Sequence, residues 1–504
     1  MFSQVSGATT LGINGHVITV EVDISRGVTG FNIVGLAAAS VREAKERVRA
    51  AIQNSGYQFP MGKVTVNLAP ADLKKDGSGL DLPIAIGLLA ASGQISGQCL
   101  QGRIFIGELS LQGRIRPVPG VLSMVLAARQ AGFSIFIMAP SSAPEALLCE
   151  QIQVFAPQTL RELVEAMLEH AALHPEIRRE EKKSVTYAVD FSEVQGQQLA
   201  KRAMEIAAAG AHNLLMIGPP GSGKTMLARR ITTILPPMNR EEALEVTKIY
   251  SVAGLFKAEH IIRERPFRSP HHTISMAGLT GGGSIPRPGE VTLAHYGVLF
   301  LDELPEFPRS VLEGLRQPME DGEVHIARVN AAFTYPADFM LVAAMNPCPC
   351  GYLGDPDHAC SCTDGEIRRY ARKISGPLLD RIDLHVSVAR PRYQELTSQK
   401  KGETSREIAA RVAAARKIQR ERLRKWHMQN NAQMGHRQIK ETCILQEKGK
   451  KILKDLFDKL HLSARSYDRI IKVSRTIADL EGAEQIEPEH IIEAISYRSR
   501  VTRR

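Results

Sequence analysis

Apolar and polar residues alternate with a period of two near the start of the chain, and this pattern predicts strands. The stretches HVITVEVDIS and GFNIVGL both show the alternation. A helix is predicted at Ala39–Asn54 and a strand at Lys63–Leu68. Beyond residue 390 the apolar spacing becomes helical. Helices are predicted there at Thr404–Asn430, Gly449–Leu460, Ser463–Glu481 and Pro488–Tyr497.

Short continuous apolar runs mark the middle of the chain, and each of them is followed by a glycine-rich loop or by polar residues. The runs LLMI, VLFL and LVAAM have the length of buried strands in a parallel sheet. A helix is predicted at Pro308–Gly322, followed by two short strands around Asn330. Strands that alternate with helices in this way predict an α/β core.

These patterns divide the chain into three folded parts and a linker. An α+β segment at 1–170 precedes a charged segment at 171–188, which is poor in apolar residues and predicts a linker. The α/β segment covers 189–390, and the helical segment covers 391–504. A chain of 504 residues is long enough for roughly three domains.

A glycine-rich loop lies between the strand LLMI and a helical stretch, and it predicts a nucleotide site. The motif G-x-x-x-x-G-K-[ST] in that setting is typical of P-loop NTPases. Its backbone N–H groups surround phosphate oxygens, aided by the positive end of the following helix. We expect Lys224 to reach the β- and γ-phosphates and Thr225 to hold Mg²⁺. The predicted ATP-binding residues are Gly218, Pro219, Pro220, Gly221, Ser222, Gly223, Lys224 and Thr225.

Two further apolar runs supply the polar residues that phosphate hydrolysis requires. The run VLFL ends at Asp302 and Glu303. We expect Asp302 to bind Mg²⁺ through its water shell, and Glu303 to orient and polarise the attacking water. The run LVAAM ends at Asn346, whose amide is expected between the two nucleotide strands, where it senses the γ-phosphate. The order of these motifs predicts an ATP hydrolase that uses Mg²⁺.

Composition narrows the class of protein further. Against 54 Asp and Glu there are 64 Lys and Arg, a net charge of +10 that suits a polyanionic partner such as nucleic acid. No apolar run approaches the roughly 18 residues that a membrane span needs. The start MFSQVSGATTLG lacks the basic and apolar parts of a signal peptide. We therefore expect a cytoplasmic protein that has no membrane partner.

Four of the seven cysteines fall within one short loop, as Cys348, Cys350, Cys360 and Cys362. Their order is C-x-C, a longer interval, and C-x-C again. In a reducing compartment such a group favours a tetrahedral structural zinc site over disulfides. Reduced thiols are one alternative, and a ligand set in which His358 replaces a cysteine is another.

Two segments of the N-terminal part resemble the proteolytic domain of Lon-type proteases. They are KKDGSGLDLPIAIGLLAAS and GELSLQGRIRPVPGVLSMVLAARQAG. In that family a serine follows a K-D-G-like turn, and a lysine follows a P-x-G-G segment. Here Gly79 and Leu122 stand at those positions, and Ser78 is one residue off. A Ser–Lys dyad needs both groups within hydrogen-bond reach, so we expect an S5-like domain without peptidase activity. A scaffold for DNA or subunits and a fold kept for oligomer packing both stay open.

The stretch DFSEVQGQQLAKRAMEIAAAG precedes the phosphate loop and resembles the N-terminal element of AAA+ ATPases. The resemblance places the backbone around Val194 and Gln197 against the adenine.

The long irregular stretch Phe267–Glu290 resembles the helix-2 insertion of the AAA+ branch with magnesium chelatases and MCM helicases. In that branch the insertion projects into the channel of a hexameric ring. Its adjacent histidines, His271 and His272, indicate packing or phosphate contact rather than metal binding.

The strands expected around Asn330 resemble the pre-sensor hairpin of the same branch, which carries a basic residue near its tip. We predict that Arg328 and Arg287 contact the DNA backbone in the pore. Such contacts carry affinity without sequence specificity. Solvated surface arginines are the alternative interpretation of both residues.

Two arginines near the end of the chain resemble residues that sense the γ-phosphate. Arg381, in GPLLDRIDLHV, resembles the arginine finger of the same branch, which reaches the nucleotide of a neighbouring subunit. An ion pair with Asp380 is the alternative. Arg465 falls in the first turn of a helix capped by Ser463 and matches the second sensor of AAA+ lids, with Arg469 as the fallback.

Taken in order, these motifs resemble the ComM/YifB-type, magnesium-chelatase-like family of bacterial AAA+ proteins. The motifs are GPPGSGKT, FRSPHHT, VLFLDE, AAMNPCPCG, CSC and GPLLDRIDL. The resemblance implies an AAA+ core with a C-terminal helical lid and assembly as a homo-hexamer. It also implies an ATP-driven DNA helicase or translocase that promotes branch migration during natural transformation. Single-stranded and branched DNA are the implied substrates, and a recombinase is a candidate partner. The alternative is a magnesium-chelatase-like or protein-remodelling ATPase without a DNA substrate.

Overall fold

A computed structural model gives the fold of the chain. It describes residues 1–36, 39–73, 75, 77–177, 187–256, 260–283, 287–328, 331–391, 402–460 and 463–498. Part of the expected linker, residues 178–186, lies outside the described residues. The described chain has a mixed α/β architecture with two main sheets.

The first sheet is mixed and belongs to the N-terminal part. The strands of this part are β1 (Phe2–Leu11), β2 (Asn14–Ser25), β3 (Gly30–Val34), β4 (Lys63–Ala69), β5 (Arg103–Ile106), β6 (Glu108–Leu109), β7 (Ile115–Arg116), β8 (Ile135–Met138) and β9 (Gln153–Phe155). Within the described residues, seven of them form one sheet in the order β3-β4-β2-β1-β5-β8-β9. The hairpin of β1 and β2 is antiparallel, whereas β1 pairs with β5 in parallel.

Apolar side chains cover both faces of this first sheet. The helices of the N-terminal part are α1 (Ala39–Asn54), α2 (Asp81–Ala91), α3 (Val121–Gln130), α4 (Ala143–Ala146) and α5 (Leu160–Met167). On one face Ile18 and Val20 join the apolar core formed with α1 and α2. On the other face Ile104 and Phe136 pack with α3.

The second sheet carries the predicted nucleotide motifs. The strands of this part are β10 (Leu214–Ile217), β11 (Phe267–Arg268), β12 (Gly281–Gly282), β13 (Arg287–Pro288), β14 (Val298–Leu301), β15 (Glu323–Arg328), β16 (Ala331–Pro336), β17 (Met340–Met345) and β18 (Leu384–Ser387). Among the described strands, the order of this sheet is β11-β14-β17-β10-β18, and its pairings are parallel. Asn346 follows β17 and therefore lies between the strands that carry the phosphate loop and Asp302.

Helices cover both faces of the second sheet. They are α6 (Gln198–Gly210), α7 (Lys224–Arg230), α8 (Arg240–Val252), α9 (Met276–Thr280), α10 (Glu290–Leu293), α11 (Arg309–Gly314), α12 (Pro318–Asp321), α13 (Asp364–Ala371) and α14 (Gly376–Leu379). Successive side chains of β10 point to opposite faces of the sheet, as in any strand. Leu214 and Met216 belong to the core around α6, whereas Leu215 belongs to the core around α11.

The single helix expected at Pro308–Gly322 is wrong, because the structure has two short helices there. The first, α11, ends at Gly314, and the second, α12, begins at Pro318. Proline has no N–H to donate to the carbonyl four residues earlier, so the first helix cannot continue through Pro318. The two strands expected next are present as β15 and β16, while Asn330 itself lies outside the described residues.

The C-terminal part is helical, as predicted, and it packs on the same core as α6. Its helices are α15 (Ser405–Leu423), α16 (His436–Thr442), α17 (Glu447–Leu460), α18 (Ala464–Glu481) and α19 (Pro488–Ser496). The helix expected at Thr404–Asn430 ends early, at Leu423, and a 3-10 turn at Arg424–Trp426 follows it. The left-handed φ of His427, +56°, stops any continuation. No helix in the described part of the chain combines the length and apolar content that crossing a bilayer requires.

The N-terminal part contacts the second sheet's helix α8 through α3. Leu122 is fully buried in an apolar cluster that includes Met238 and Val246. Beside this cluster, the carboxylate of Glu145 accepts the backbone N–H of Leu122 at 2.7 Å and the hydroxyl of Ser251. Burial raises the pKa of Glu145, and the two hydrogen bonds oppose that shift. The apolar contact and the buried carboxylate join the two parts into one packed body.

The positions of a Lon-type dyad form no serine–lysine contact in the described structure. Leu122 is part of the contact with α8, and Gly79 lies on the other segment. The hydroxyl of Ser78 donates to Glu108, and the ammonium group of Lys75 donates to a backbone carbonyl. Among the residues that the structure describes, the Ser78 hydroxyl is therefore bonded to a carboxylate and not to a lysine.

Candidate nucleotide site

The predicted phosphate loop joins β10 to α7. Gly221 and Gly223 have φ values of +76° and +86°, which glycine adopts without the strain that a side chain adds. Helix α7 begins at Lys224, immediately after Gly223. The loop therefore runs from the end of a buried strand to the start of a helix, which is the arrangement that binds phosphate in P-loop proteins.

The side chain of Lys224 lies inside the loop, and only 9% of the residue is exposed. Its Nζ donates hydrogen bonds to the carbonyl of Gly218 at 2.7 Å and to Oδ1 of Asn346 at 3.2 Å. Burial lowers the pKa of Lys224, and the charge of Asp302 opposes the shift. The present acceptors of this ammonium group are neutral, and it would form stronger hydrogen bonds with anionic phosphate oxygens. We therefore expect it to exchange these acceptors for phosphate oxygens when a nucleotide binds.

Thr225 and Asp302 meet at the carboxyl end of the sheet. Oγ1 of Thr225 donates to Oδ2 of Asp302 at 2.6 Å. The other oxygen of Asp302 accepts the backbone N–H of Glu303 at 3.0 Å. Hydroxyl, carboxylate and phosphate oxygens are the ligands that Mg²⁺ takes, usually together with water. The residues present therefore fit a magnesium ion shared with a nucleotide.

Glu303 has a backbone conformation that few non-glycine residues adopt. Its φ is +52°, in the left-handed region, and such values cluster at functional sites. Its carboxylate faces Nδ1 of His272 at 3.5 Å, and the ring of His272 meets that of Phe307 edge to face. The segment that follows β11 thus reaches the predicted catalytic carboxylate directly.

Val194 and Gln197 lie beside the phosphate loop. Val194 is fully buried, and its carbonyl accepts a hydrogen bond from Nζ of Lys201 at 2.5 Å. The side chain of Gln197 donates to the carbonyls of Ser222 at 2.8 Å and Ala389 at 2.9 Å. Gln197 therefore ties the segment before α6 to the phosphate loop, while adenine contact stays a prediction.

Arg381 and Arg465 share one carboxylate. Arg381 is 5% exposed, and its Nη2 lies 2.5 Å from Oε1 of Glu320. Arg465 lies 3.7 Å from the same oxygen. The fallback residue, Arg469, pairs instead with Asp383 at 3.5 Å. Arg381 therefore pairs with Glu320 rather than with Asp380, its neighbour in the chain.

The two predicted DNA contacts belong to neighbouring hairpins. Arg287 is exposed on β13, which pairs with β12, and Arg328 ends β15, which pairs with β16. The side chain of Arg328 lies outside the described residues. A methyl group added at Gly281 on β12 would lie 3.2 Å from Ile326 on β15, so the two hairpins are in contact.

The four clustered cysteines converge on one point. Their sulfur atoms all lie within 4.8 Å of one another. Cys348 is 3.3 Å from Cys350 and 3.6 Å from Cys360. Thiolates around one tetrahedral Zn²⁺ would be about 3.8 Å apart, whereas a disulfide needs about 2.05 Å. Backbone N–H groups of Tyr352 and Ser361 donate to Cys350 and lower its pKa to about 5. The cluster fits a single thiophilic metal ion.

Comparisons with known proteins find relatives that match almost the whole chain. The family described as "Magnesium chelatase, subunit ChlI" matches residues 190–396. The descriptions "Subunit ChlI of Mg-chelatase" and "Magnesium chelatase, subunit ChlI C-terminal" match residues 20–142 and 402–498. Protein YifB of Salmonella typhimurium is 45% identical over 97% of this chain and 95% of its own length. Competence protein ComM of Haemophilus influenzae is 45% identical over 98% of this chain and 96% of its own.

The chain belongs to the ComM/YifB-type, magnesium-chelatase-like family.

The chain is less similar to the chelatases themselves than to ComM and YifB. The magnesium-chelatase 67 kDa subunit of Chlorobaculum parvum is 28% identical over 39% of this chain and 26% of its own length. The similarity to ComM and YifB therefore spans all three parts of the chain, whereas this chelatase match covers a minority of it. The family assignment and the nucleotide motifs together indicate an ATPase that uses Mg²⁺.

Two site residues were missed or underrated from the sequence alone. His272 was expected to serve packing or phosphate contact; its ring packs on Phe307, and it also faces Glu303, which was not expected. Glu320 carried no expectation, yet it holds both Arg381 and Arg465. Neither contact has a local signal, because each joins residues that lie far apart in the chain.

Proposed function

We propose that this protein is an ATP-driven ring motor that moves DNA and promotes branch migration when incoming single strands recombine during natural transformation. The observation that carries the ATPase step is the convergence of Lys224, Thr225, Asp302 and Asn346 at one sheet edge. The competence role is supported by the ComM relative, whose similarity covers nearly the full length of both chains. ATP and Mg²⁺ are the ligands for which the site has the right groups.

Different residues of this chain would have different roles in ATP hydrolysis. Lys224 is held between loop carbonyls and Asn346, where it would meet the β- and γ-phosphates of ATP. Thr225 and Asp302 would hold Mg²⁺, which would neutralise charge on those phosphates. Glu303 is exposed at the same edge and would accept a proton from the attacking water. Asn346 would hold that water or the γ-phosphate in line through its amide.

We propose that Arg381 acts on the nucleotide of a neighbouring subunit, and that Arg465 contacts the γ-phosphate as the second sensor of the lid. Both arginines gather at Glu320. A guanidinium group stabilises negative charge that spreads over the γ-phosphate in the transition state. Residues that serve the next subunit require a closed ring of head-to-tail contacts. A homo-hexamer is the ring we propose.

The proposed DNA-contacting surface consists of the two touching hairpins, β12 with β13 and β15 with β16. Arg287 is exposed on the first hairpin, and Arg328 lies at the end of β15 on the second. A net charge of +10 supports a polyanionic partner. Backbone contacts of this kind suit a motor that moves along DNA of any sequence. Single-stranded and branched DNA are the proposed substrates, and a recombinase is a candidate partner.

For the other parts of the chain we propose structural roles. The N-terminal part resembles a Lon-type domain and serves as a scaffold for α8 rather than as a peptidase, supported by the buried contact of Leu122. The C-terminal helices would act as the lid of an AAA+ module. The four cysteines would hold a structural Zn²⁺, supported by sulfur separations of 3.3 to 3.6 Å.

A branch-migration assay tests the proposal. A three-strand junction with one labelled strand is incubated with the purified protein, ATP and Mg²⁺. We expect release of the labelled strand by the unaltered protein and none by Lys224→Ala.

The second candidate, a magnesium-chelatase-like or protein-remodelling ATPase, is favoured by the chelatase family matches. Normal ATP turnover without any strand release would favour that candidate.

A further inference from the structure

The loop that carries the cysteine cluster packs directly against the phosphate loop. Gly351 lies between Cys350 and Tyr352 and has a φ of +87°. A methyl group at Gly351 would come within 2.6 Å of Cδ of Pro220, closer than carbon atoms approach in real structures. The backbone of the cysteine loop therefore rests on the second proline of GPPGSGKT.

Arg390 also joins the two loops. Its Nε and Nη2 donate to the carbonyl of Pro220 at 3.3 and 3.2 Å. Its Nη1 lies 3.3 Å from Nδ1 of His358, and its guanidinium carbon lies 5.5 Å from the centre of the Tyr352 ring. The ring of Tyr352 stacks on that of His358 at 5.0 Å. One arginine thus links the phosphate loop to two aromatic residues of the cysteine loop.

The cysteine loop also begins at the γ-phosphate end of the site. Asn346, which contacts Lys224, is two residues before Cys348, and Cys348 is fully buried. The stretch between Gly354 and Cys362 is largely exposed, so little apolar packing holds it in place. In such a loop, metal–thiolate bonds supply the rigidity that a core would otherwise supply.

We propose that a thiophilic divalent ion, Zn²⁺, bound by the four cysteines holds this loop against Pro220, so that metal occupancy sets the affinity of the phosphate loop for ATP. The inference rests on the proposed zinc site and ATPase and adds the coupling between them. With the metal bound, Gly351 and Arg390 hold the phosphate loop in one conformation. Without it, ATP binding has to order both loops, and that ordering weakens affinity.

Two measurements on the full-length protein test the coupling. The first is zinc per chain, by colorimetric release with a mercurial reagent. The second is the dissociation constant of a fluorescent ATP analogue without DNA. We expect one zinc per chain in the unaltered protein. The pair Cys360→Ser and Cys362→Ser should lose zinc and bind the analogue about tenfold more weakly. Cys99→Ser, which changes a cysteine of the N-terminal part, is the matched control and should alter neither value.

Further variants keep the test valid if the double cysteine variant fails to fold, which circular dichroism would show. Arg390→Gln and Gly351→Ala leave all four thiols in place. We expect both to retain one zinc per chain and to bind the analogue several-fold more weakly.

Each failure has a distinct meaning. Unchanged analogue affinity in a zinc-free protein, or in both Arg390→Gln and Gly351→Ala, would overturn the coupling. Unaltered protein that binds the analogue but contains no thiophilic metal would overturn the zinc site and leave the ATPase standing. Unaltered protein that binds no analogue would contradict the proposed function itself.

Discussion

Replacing Arg381 with alanine separates a role within the subunit from a role in the next subunit. Its partner Glu320 is 44% exposed, so water screens the ion pair. Loss of the screened pair should cost about 1 kcal/mol or less, and loss of the hydrogen bond that the buried guanidinium group of Arg381 donates to the carbonyl of Pro377 should cost about 1 to 3 kcal/mol more. Arg465 also remains beside Glu320. We therefore expect Arg381→Ala to fold, to bind ATP and to assemble normally.

The expected loss of turnover in Arg381→Ala is much larger than a modest loss of stability could cause. An arginine that reaches a transferring phosphoryl group contributes about 10³- to 10⁵-fold to the rate. Arg381→Ala should therefore hydrolyse ATP at least about a thousandfold more slowly at saturating ATP. Glu320→Gln is the control, because it removes the charge partner and leaves the arginine. We expect Glu320→Gln to retain turnover within about threefold of the unaltered protein.

Mixing the two inactive variants Lys224→Ala and Arg381→Ala tests directly whether Arg381 acts on the next subunit. Lys224→Ala lacks the phosphate-loop cation, and Arg381→Ala lacks the proposed finger, so each alone should be inactive. In randomly mixed rings at equal amounts, about one quarter of interfaces combine an intact loop with an intact arginine. Phosphate release should then recover to about a quarter of the unaltered rate per chain. Proven mixed rings without any recovery, or full hydrolysis by Arg381→Ala alone, would refute the reasoning.

Three further predictions follow from the same structure. Glu303→Gln should bind ATP normally but hydrolyse it at least about a hundredfold more slowly, and rapid phosphate release by this variant would contradict its role as base. Leu122→Ala should lower the free energy of unfolding in denaturant by about 2 to 4 kcal/mol, against less than about 0.5 kcal/mol for the exposed control Leu111→Ala. Glu145→Gln should unfold at a higher temperature than the unaltered protein at pH 8, because burial raises the pKa of Glu145 and penalises its charged form. That advantage should shrink as the pH falls and the carboxyl group protonates, and a pH-independent difference would contradict it.

The nucleotide site could be predicted from the sequence because its signals are local. The loop GPPGSGKT follows an apolar strand, and the strand ends supply Asp302 and Asn346. Parallel strands place their carboxyl ends at one edge, so motifs far apart in the chain meet without further information. The contacts of Lys224 with Asn346 and of Thr225 with Asp302 follow from that rule.

Other features needed the fold because they depend on contacts between distant segments. No local pattern places Glu320 beside Arg381, or Gly351 and Arg390 on Pro220. The break between α11 and α12 has a local cause, because Pro318 stands in the sequence where α12 begins. The contact of Leu122 with α8 shows the same limit, because its apolar partners come from a distant segment and meet it only in the folded chain.

ATP hydrolysis with and without DNA tests the central claim most directly. Phosphate release would be measured with no nucleic acid, with single-stranded DNA, with duplex and with a three-strand junction, in the unaltered protein and in Lys224→Ala. A DNA motor predicts strong stimulation by single-stranded or branched DNA, and no turnover in Lys224→Ala. Normal basal turnover with no response to any DNA would contradict the account and point to a protein or metal-insertion partner.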